Sequence, residues 1–125
     1  MYFSPSYPDD YWFCFAQVFG DGHSNVMLRW EFGKYAIWAN NKKTELPGNI
    51  KDDLGQWITW RIEFKLDSHD GYVRVYKNGQ SLGGPQGATS GGAHSNWKMG
   101  IYTQHDTCVV KDFQLYVRDF TLIAQ

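Results

Sequence analysis

Hydrophobic and polar residues alternate along several stretches of this chain, as they do in strands that bury one face. The clearest example covers residues 57–66, and a partner strand over residues 72–77 follows it. Asn78-Gly79 then supplies a strong hairpin-turn signal. The apolar positions of both strands that we expect in the core are Ile58, Trp60, Ile62, Phe64, Leu66, Val73 and Val75.

The N-terminal half shows the same period in three further segments. We predict strands over residues 12–19 and 26–32, and a return strand over residues 34–39 that follows Gly33. Strict alternation divides the first strand into two faces, with Trp12, Cys14, Ala16 and Val18 on one and Phe13, Phe15, Gln17 and Phe19 on the other. In the second strand it separates Val26, Leu28, Trp30 and Phe32 from Met27, Arg29 and Glu31.

The remaining segments complete an all-β pattern without a helix of useful length. Residues 97–103 and 109–123 are predicted strands, whereas the polar residues 40–55 are predicted as a loop with at most a weak strand or turn. Residues 79–96 contain six glycines and are predicted as a long flexible loop. We therefore expect one domain over residues 1–125, an antiparallel β-sandwich of the jelly-roll (concanavalin A-like) type.

The composition narrows the class of protein. The 125 residues include six Trp, eight Tyr and eight Phe, and such aromatic enrichment is typical of β domains. Some of these rings fill the core, and others could stack on flat ligands such as sugar rings. The net charge of −1 excludes an electrostatic nucleic-acid binder, and the chain lacks the apolar run of about 18 residues that would predict a membrane span.

Several common catalytic and cofactor motifs are missing from the sequence. The four histidines lack zinc-ligand spacing, and neither a nucleophile elbow nor a phosphate loop is present. Loop aspartates offer oxygen ligands for Ca²⁺ but without a calcium-binding spacing, so we expect no metal or cofactor. Cys14 and Cys108 are either buried thiols or a disulfide pair. Glu31 and Glu63 are the strand carboxylates that a glycosidase would need as a pair, but the charged neighbours of Glu63 indicate an exposed ladder.

The segment from Trp97 to Gln104 is the strongest candidate for a functional strand. Alternation places Lys98, Gly100, Tyr102 and Gln104 on one face, opposite an apolar set. Glycine weakens a strand interior, and its missing side chain would leave the floor of a groove there. Lys98 and Tyr102 are about 13 Å apart at the usual rise of a strand, so they could contact successive sugars. A plain exposed strand is the alternative.

This segment resembles a signature of the jelly-roll polysaccharide lyases, the group that includes alginate lyases and glucuronan lyases. Residues 15–20 resemble the strand of that family with the motif Q-x-H, with Gln17 at the glutamine position. Residues 54–61 and 71–79 resemble its hairpin, and residues 117–120 its closing strand. The residues that match the family pattern F-K-A-G-x-Y-x-Q are Lys98, Gly100, Tyr102 and Gln104.

The resemblance implies β-elimination on a uronic acid polysaccharide of the glucuronan or alginate type. A base removes the proton next to the uronate carboxyl group, and an acid protonates the leaving glycosidic oxygen. The resemblance assigns Tyr102 as base, acid or both, and Gln17 as the group that neutralises the carboxylate. Because free tyrosine titrates near pH 10, about three units above neutral, a cation should assist it, and Arg29 and Arg74 are the candidates.

The resemblance also implies that the protein binds an acidic polysaccharide, and it implies where the protein is located. Lys98 and Gln104 lie in the matched strand as substrate-binding residues, and Tyr35 and Trp38 are candidate platforms for sugar rings. A secreted or extracellular protein is expected, although no signal peptide is visible after Met1.

The chain departs from the family pattern in two places. Phe19 stands where the motif Q-x-H has its histidine, and the arginine-motif strand of the family is lacking before Gln17. The alternative is therefore a non-catalytic carbohydrate-binding jelly roll, with Tyr35, Trp38 and Tyr102 as stacking platforms. A third hypothesis is a structural protein that self-associates through exposed sheet edges.

Overall fold

The computed structural model of the chain describes residues 1–4, 12–20, 23–89, 96–102 and 115–119. Within these residues, strands β1 to β11 follow one another in this order: Tyr2–Phe3, Trp12–Gly20, His23–Glu31, Lys34–Ala39, Lys42–Asn49, Trp60–Lys65, Gly71–Lys77, Gln80–Gly83, Gln86–Gly87, Asn96–Tyr102 and Leu115–Tyr116. A short 3-10 turn, Ile50–Asp52, is the one helical element of the described residues.

Two antiparallel sheets pack against each other and form a β-sandwich. The first sheet has five strands in the order β10-β2-β3-β4-β5, and the second has the order β6-β7-β8 with β9 also paired to β7. β1 pairs with β11 in a separate two-stranded sheet. The predicted all-β sandwich is confirmed, whereas the jelly-roll type remains a prediction.

The core between the two sheets is rich in aromatic rings. The Trp60 ring of the second sheet lies with its centroid 5.5 Å from that of Phe15 and 5.0 Å from that of Tyr35, both in the first sheet. At the β10 side, Phe64 stacks on Trp97 at 5.8 Å. The positions predicted to face the core do so. Ile58, Val73 and Val75 are buried, and Trp60, Ile62, Phe64 and Leu66 are partly buried against them.

A β-bulge in β2 overturns the strict alternation predicted for that strand. Cys14 pairs with Arg29 and Ala16 with Leu28, so Phe15 is an extra residue without a partner position on β3. Such a residue shifts the pleat by one position and exchanges the faces beyond it. The inward side chains are therefore Phe13, Phe15, Ala16 and Val18, and the outward ones are Trp12, Cys14, Gln17 and Phe19.

Two-residue turns connect three pairs of neighbouring strands, namely β3–β4, β4–β5 and β7–β8. The φ angles are positive at both central residues of Phe32-Gly33, Asn40-Asn41 and Asn78-Gly79, as type I′ hairpins require. The predicted turn at Asn78-Gly79 is thus confirmed. The predicted strand over residues 26–32 ends one residue early, because Phe32 occupies the turn and is 67% exposed.

Part of the chain predicted as loop forms strands instead. β5 lies within residues 40–55 and pairs with β4 at the edge of the first sheet. Pro47 has no N–H group to donate. It is tolerated in β5 because no strand among the described residues pairs with the outer side of β5, so no hydrogen bond is lost there. β8 and β9 lie within the predicted loop 79–96. The predicted closing strand 109–123 is described only at residues 115–119, where β11 is found.

A buried polar cluster joins the two sheets at one end of the core. The Tyr35 hydroxyl donates a hydrogen bond to Asp53 Oδ2 at 2.7 Å, and Lys77 Nζ lies 2.8 Å from the same oxygen. Tyr35 belongs to β4, Lys77 to β7, and Asp53 follows the 3-10 turn. Because the hydroxyl and the ammonium group both meet the carboxylate, its burial is compensated.

Candidate functional site

The face of the five-stranded sheet that points away from the core carries the candidate site, and we call it the outer face. Cross-strand pairing fixes which residues share it, because residues directly opposite each other in an antiparallel pair point to the same side. The outer-face side chains that form or adjoin the candidate site are Trp12, Cys14, Gln17, Phe19, Met27, Arg29, Glu31, Trp38, Lys43 and Lys98.

The centre of the outer face is a stack of one guanidinium group between two indoles. Arg29 Cζ lies 4.2 Å from the ring centroid of Trp12 and 4.8 Å from that of Trp38. Its Nη2 also lies 3.1 Å from the sulfur of Met27. Only 14% of the Arg29 side chain is exposed, so the two indoles hold the cation with little freedom to reorient.

Glu31 is the buried counter-ion of this stack. Its Oε1 accepts a hydrogen bond from Trp38 Nε1 at 2.6 Å and lies 3.4 Å from Arg29 Nη1, and its Oε2 lies 2.5 Å from Lys43 Nζ. Burial alone would raise the pKa of the Glu31 carboxyl. The hydrogen bonds from Lys43 and Trp38 and the charges of Lys43 and Arg29 outweigh burial and hold this pKa below its usual value.

Gln17 and Lys98 lie side by side on the outer face. They are directly opposite each other in the β2–β10 pair, and the Lys98 ammonium group lies 4.1 Å from the ring centroid of Phe19. An open pocket of about 170 Å³ adjoins them, lined by residues 14–17 and 98–100. An amide and an ammonium group beside a pocket can hold a carboxylate, since both donate hydrogen bonds.

Gly100 lines the pocket. A glycine suits this position because of its backbone conformation and not because a side chain would lack space. Its φ is +145°, and a Cβ atom built there would meet nothing within 4 Å. The register of β10 shifts between Met99 and Tyr102, so Gly100 permits an irregularity in the strand. Gly100 therefore lines the pocket at the point where the register of β10 shifts, and its role as a groove floor stays a prediction.

Tyr102 and Cys14 occupy paired positions of β10 and β2. The Tyr102 side chain lies outside the described residues, as do Gln104 and Cys108. Cys14 lines the pocket wall as a buried free thiol. Burial raises the pKa of the Cys14 thiol to about 12, against the opposing effects of Arg29 and of its hydrogen bond to the Ala16 carbonyl.

Two predicted site residues do not belong to the outer face. Tyr35 is fully buried in the core, where it binds Asp53, so its role as a sugar platform is wrong. Arg74 lies on the exposed face of the second sheet, with its guanidinium group 4.6 Å from the Tyr72 ring centroid. The sandwich core separates Arg74 from Gln17, so it cannot serve the same ligand. Arg29, Trp38, Gln17 and Lys98 do share one face.

Glu31 and Glu63, the two strand carboxylates considered for glycoside hydrolysis, do not form a pair. Glu31 belongs to the outer face of the first sheet, whereas Glu63 lies on the exposed face of the second, 3.3 Å from Arg61. Two carboxyl groups must flank one glycosidic bond in such enzymes. The expectation that Glu63 belongs to an exposed charge ladder fits its position.

Sequence reasoning missed two residues of the site, Trp12 and Lys43, and the part played by Glu31. Lys43 fell in a segment predicted as loop. The bulge at Phe15 hid the fact that Trp12 and Gln17 share a face with Arg29. The spacing Arg29-x-Glu31 was the available signal, because it places both side chains on one side of β3.

Among the described residues, positive charge exceeds negative charge on the outer face, although the whole chain has a net charge of −1. Four cations share the face by register with two carboxylates. These are Arg29, Lys34, Lys43 and Lys98 against Glu31 and Glu45. Lys34 and Glu45 pair with each other at 3.8 Å. The surplus is therefore carried by Arg29, Lys43 and Lys98, of which Arg29 and Lys43 contact the remaining carboxylate, Glu31.

The described residues lack both a cluster of metal ligands and a helix that could cross a membrane. They contain no group of three or more His, Cys, Asp or Glu side chains arranged to hold a metal ion. They also contain no helix with the length and hydropathy needed to cross a membrane.

No family model, curated protein or solved structure matches the chain. The function is therefore argued from the geometry of the outer face together with the motif resemblance.

Proposed function

We propose that this protein is a polysaccharide lyase-like protein that binds a polyuronate of the glucuronan or alginate type on the outer face and cleaves it by β-elimination. The observation that carries the proposal is the adjacency of Gln17 and Lys98 beside an open pocket. Both residues match the motifs of the jelly-roll polysaccharide lyases. The surplus of positive charge on the outer face favours an acidic ligand over a neutral one.

The proposed chemistry begins with neutralisation of the uronate carboxylate. Hydrogen bonds from the Gln17 amide, with the Lys98 charge nearby, make the proton on the adjacent ring carbon easier to remove. The Tyr102 oxygen, as phenolate, takes this proton. The released electron pair forms a carbon–carbon double bond as the bond to the glycosidic oxygen breaks, and the Tyr102 hydroxyl, which now carries the proton, returns it to that oxygen.

Non-catalytic binding is the second candidate, and the state of Arg29 favours it. Arg29 is the cation on this face that the sequence proposes as the group assisting Tyr102. Its guanidinium group already faces Glu31 and lies between Trp12 and Trp38. An engaged cation assists a tyrosine less than a free one, and then only the aromatic and cationic binding surface would function.

The replacement Tyr102→Phe separates the two candidates. It removes only the hydroxyl group, so a lyase should lose formation of unsaturated uronate ends while its affinity for the polyuronate changes little. Gln17→Ala should lower both rate and affinity, because the amide contacts the carboxylate before reaction as well. Ultraviolet absorbance of the unsaturated product measures the rate, and calorimetry measures the affinity.

The wild-type protein supplies the decisive control. If it binds alginate or glucuronan tightly and generates no unsaturated ends over hours, the lyase proposal fails and the binding function stands. If it binds neither polymer, both candidates fail.

Self-association through sheet edges is a further proposal about partners. β10 and β5 are the outermost strands of the five-stranded sheet among the described residues. Pro47 and the lysines of β5 disfavour pairing along that edge. Sedimentation of the protein at increasing concentration would test whether copies associate.

A further inference from the structure

One row of outward side chains crosses the whole five-stranded sheet at right angles to its strands. Each member is directly opposite the next in the strand pairing, and in spatial order they are Lys98, Gln17, Met27, Trp38 and Lys43. Neighbouring strands are about 4.8 Å apart, so the backbone positions at the two ends of the row are about 19 Å apart.

The row has charged ends and a less polar middle. Lys98 at one end is exposed, and Lys43 at the other end is 38% exposed. Met27 and Trp38 between them are half-buried, and Trp38 is fixed by its hydrogen bond to Glu31. Glu31 Oε2 takes one of the three N–H donors of the Lys43 ammonium group, and the exposed part of this side chain can offer the others to a ligand. A flat indole and a thioether provide a surface for the less polar faces of sugar rings.

The direction of the row matters because of where the carboxylates lie. No carboxylate occurs in the row itself. Towards the Phe32 turn, the next row on the outer face contains Arg29 on β3 and Glu45 on β5, and Glu31 lies in the row after it. A polyanion that ran along β5 from Lys43 would pass over Glu45, whereas one that follows the row meets no carboxylate.

We propose that the outer face binds a linear polyuronate along this row, perpendicular to the strands, and that Lys43 binds a second carboxylate at the opposite end from Lys98. The inference rests on the proposed function of the outer face. It adds a binding residue, a direction for the ligand and a dependence on ligand length, because an oligosaccharide must reach across the row between two lysines whose backbone positions are about 19 Å apart.

The test compares oligoalginates of increasing length, from disaccharide to octasaccharide, by calorimetry at low salt. For the long oligomers, Lys43→Ala and Lys98→Ala should each weaken binding about two- to fivefold, the range for exposed ion pairs. For the shortest oligomers Lys43→Ala should change little, since these cannot reach both ends. Added salt should reduce the difference between long and short ligands.

Two control variants isolate the effect of position and charge. Lys34→Ala removes a lysine that lies on the same face but outside the row, where it pairs with Glu45, and it should leave the length dependence unchanged. Lys43→Arg keeps the positive charge next to Glu31 and should bind the long oligomers as the wild type does. If Lys43→Arg weakened binding as much as Lys43→Ala does, a disturbed fold at this position, and not the lost charge, would explain both losses.

The outcomes distinguish this inference from the proposed function beneath it. If Lys98→Ala weakens binding and Lys43→Ala does not at any length, the ligand does not follow the row, although polyuronate binding stands. If Lys34→Ala weakens binding as much as Lys43→Ala, the effect is general charge and the row is not the binding track. If the wild type binds no oligoalginate or glucuronan oligomer, the proposed function itself fails.

Discussion

At the scale of single residues, Glu31 organises the outer face. Its carboxylate meets Trp38, Arg29 and Lys43, which come from three neighbouring strands. A buried carboxylate is costly unless donors surround it, and here these donors are the groups that a ligand would meet. The residue therefore couples the stability of the sheet to the arrangement of its surface.

Replacement of Glu31 by Gln should change the pH dependence of stability. Since the pKa of Glu31 is lower in the folded protein than its ordinary value of 4.5, the ionised form contributes stability above about pH 4.5. That contribution is lost as the pH falls through the lowered folded pKa. Urea unfolding from pH 7 to pH 2 should therefore show a flatter acid limb for Glu31→Gln than for the wild type.

The matched control is Glu63→Gln on the exposed face of the second sheet. Glu63 is 38% exposed, and its loss should change the free energy of unfolding at neutral pH by no more than about 0.5 kcal/mol. Acid limbs of equal steepness for Glu31→Gln and the wild type would contradict the role assigned to Glu31.

At the scale of elements, the hairpin between β3 and β4 contains a strained turn. Phe32 has a φ of +48° and its ring is 67% exposed, so a bulky residue occupies a left-handed position without burying its side chain. Asn at this position followed by Gly33 would form the preferred type I′ pair, as Asn78-Gly79 does in the next sheet.

Phe32→Asn should accordingly stabilise the protein by about 1 kcal/mol, because Asn tolerates the left-handed region better than Phe. The urea midpoint should rise, and the slope of the transition should stay the same. Phe32→Ala is the control, since it removes the ring but keeps an ordinary L-residue in the strained position. An equal rise for Phe32→Ala would mean that exposure of the ring, and not the turn geometry, limits stability.

At the scale of the whole molecule, packing between the two sheets rests on a few large rings. Trp60 of β6 contacts Phe15 and Tyr35 across the core, and Phe64 stacks on Trp97. Tyr35 continues through its hydroxyl to Asp53 and Lys77. Apolar packing and a buried ion pair thus join the sheets at adjacent places.

Trp60→Ala should therefore lower the free energy of unfolding by about 3 kcal/mol or more, as truncation of large core aromatics does. Denaturant unfolding followed by far-ultraviolet circular dichroism measures the change. The control, Trp57→Ala, removes a tryptophan that is 43% exposed, and it should cost about 1 kcal/mol or less. Equal losses for the two variants would show that Trp60 is not a core contact between the sheets.

A strand could be predicted from the sequence where its alternation and its turn signal point to the same hairpin. In residues 57–79 the period of two, the core positions and the Asn78-Gly79 turn all appear in the structure as predicted. In β10 the sequence also determined that Lys98 points away from the core and that Trp97 points towards it. Here each residue's neighbours along the chain carry enough information, because alternation and type I′ turns are local properties.

Which side chains form the outer face depends instead on how the strands pair with one another. The bulge at Phe15 depends on the register between β2 and β3, and it moves Gln17 onto the face of Arg29. β5 is a strand because β4 supplies its hydrogen-bond partners, although its own residues suggest a loop, and this brings Lys43 to Glu31. Cross-strand register is a property of two segments together, so the pattern within either one could not reveal it.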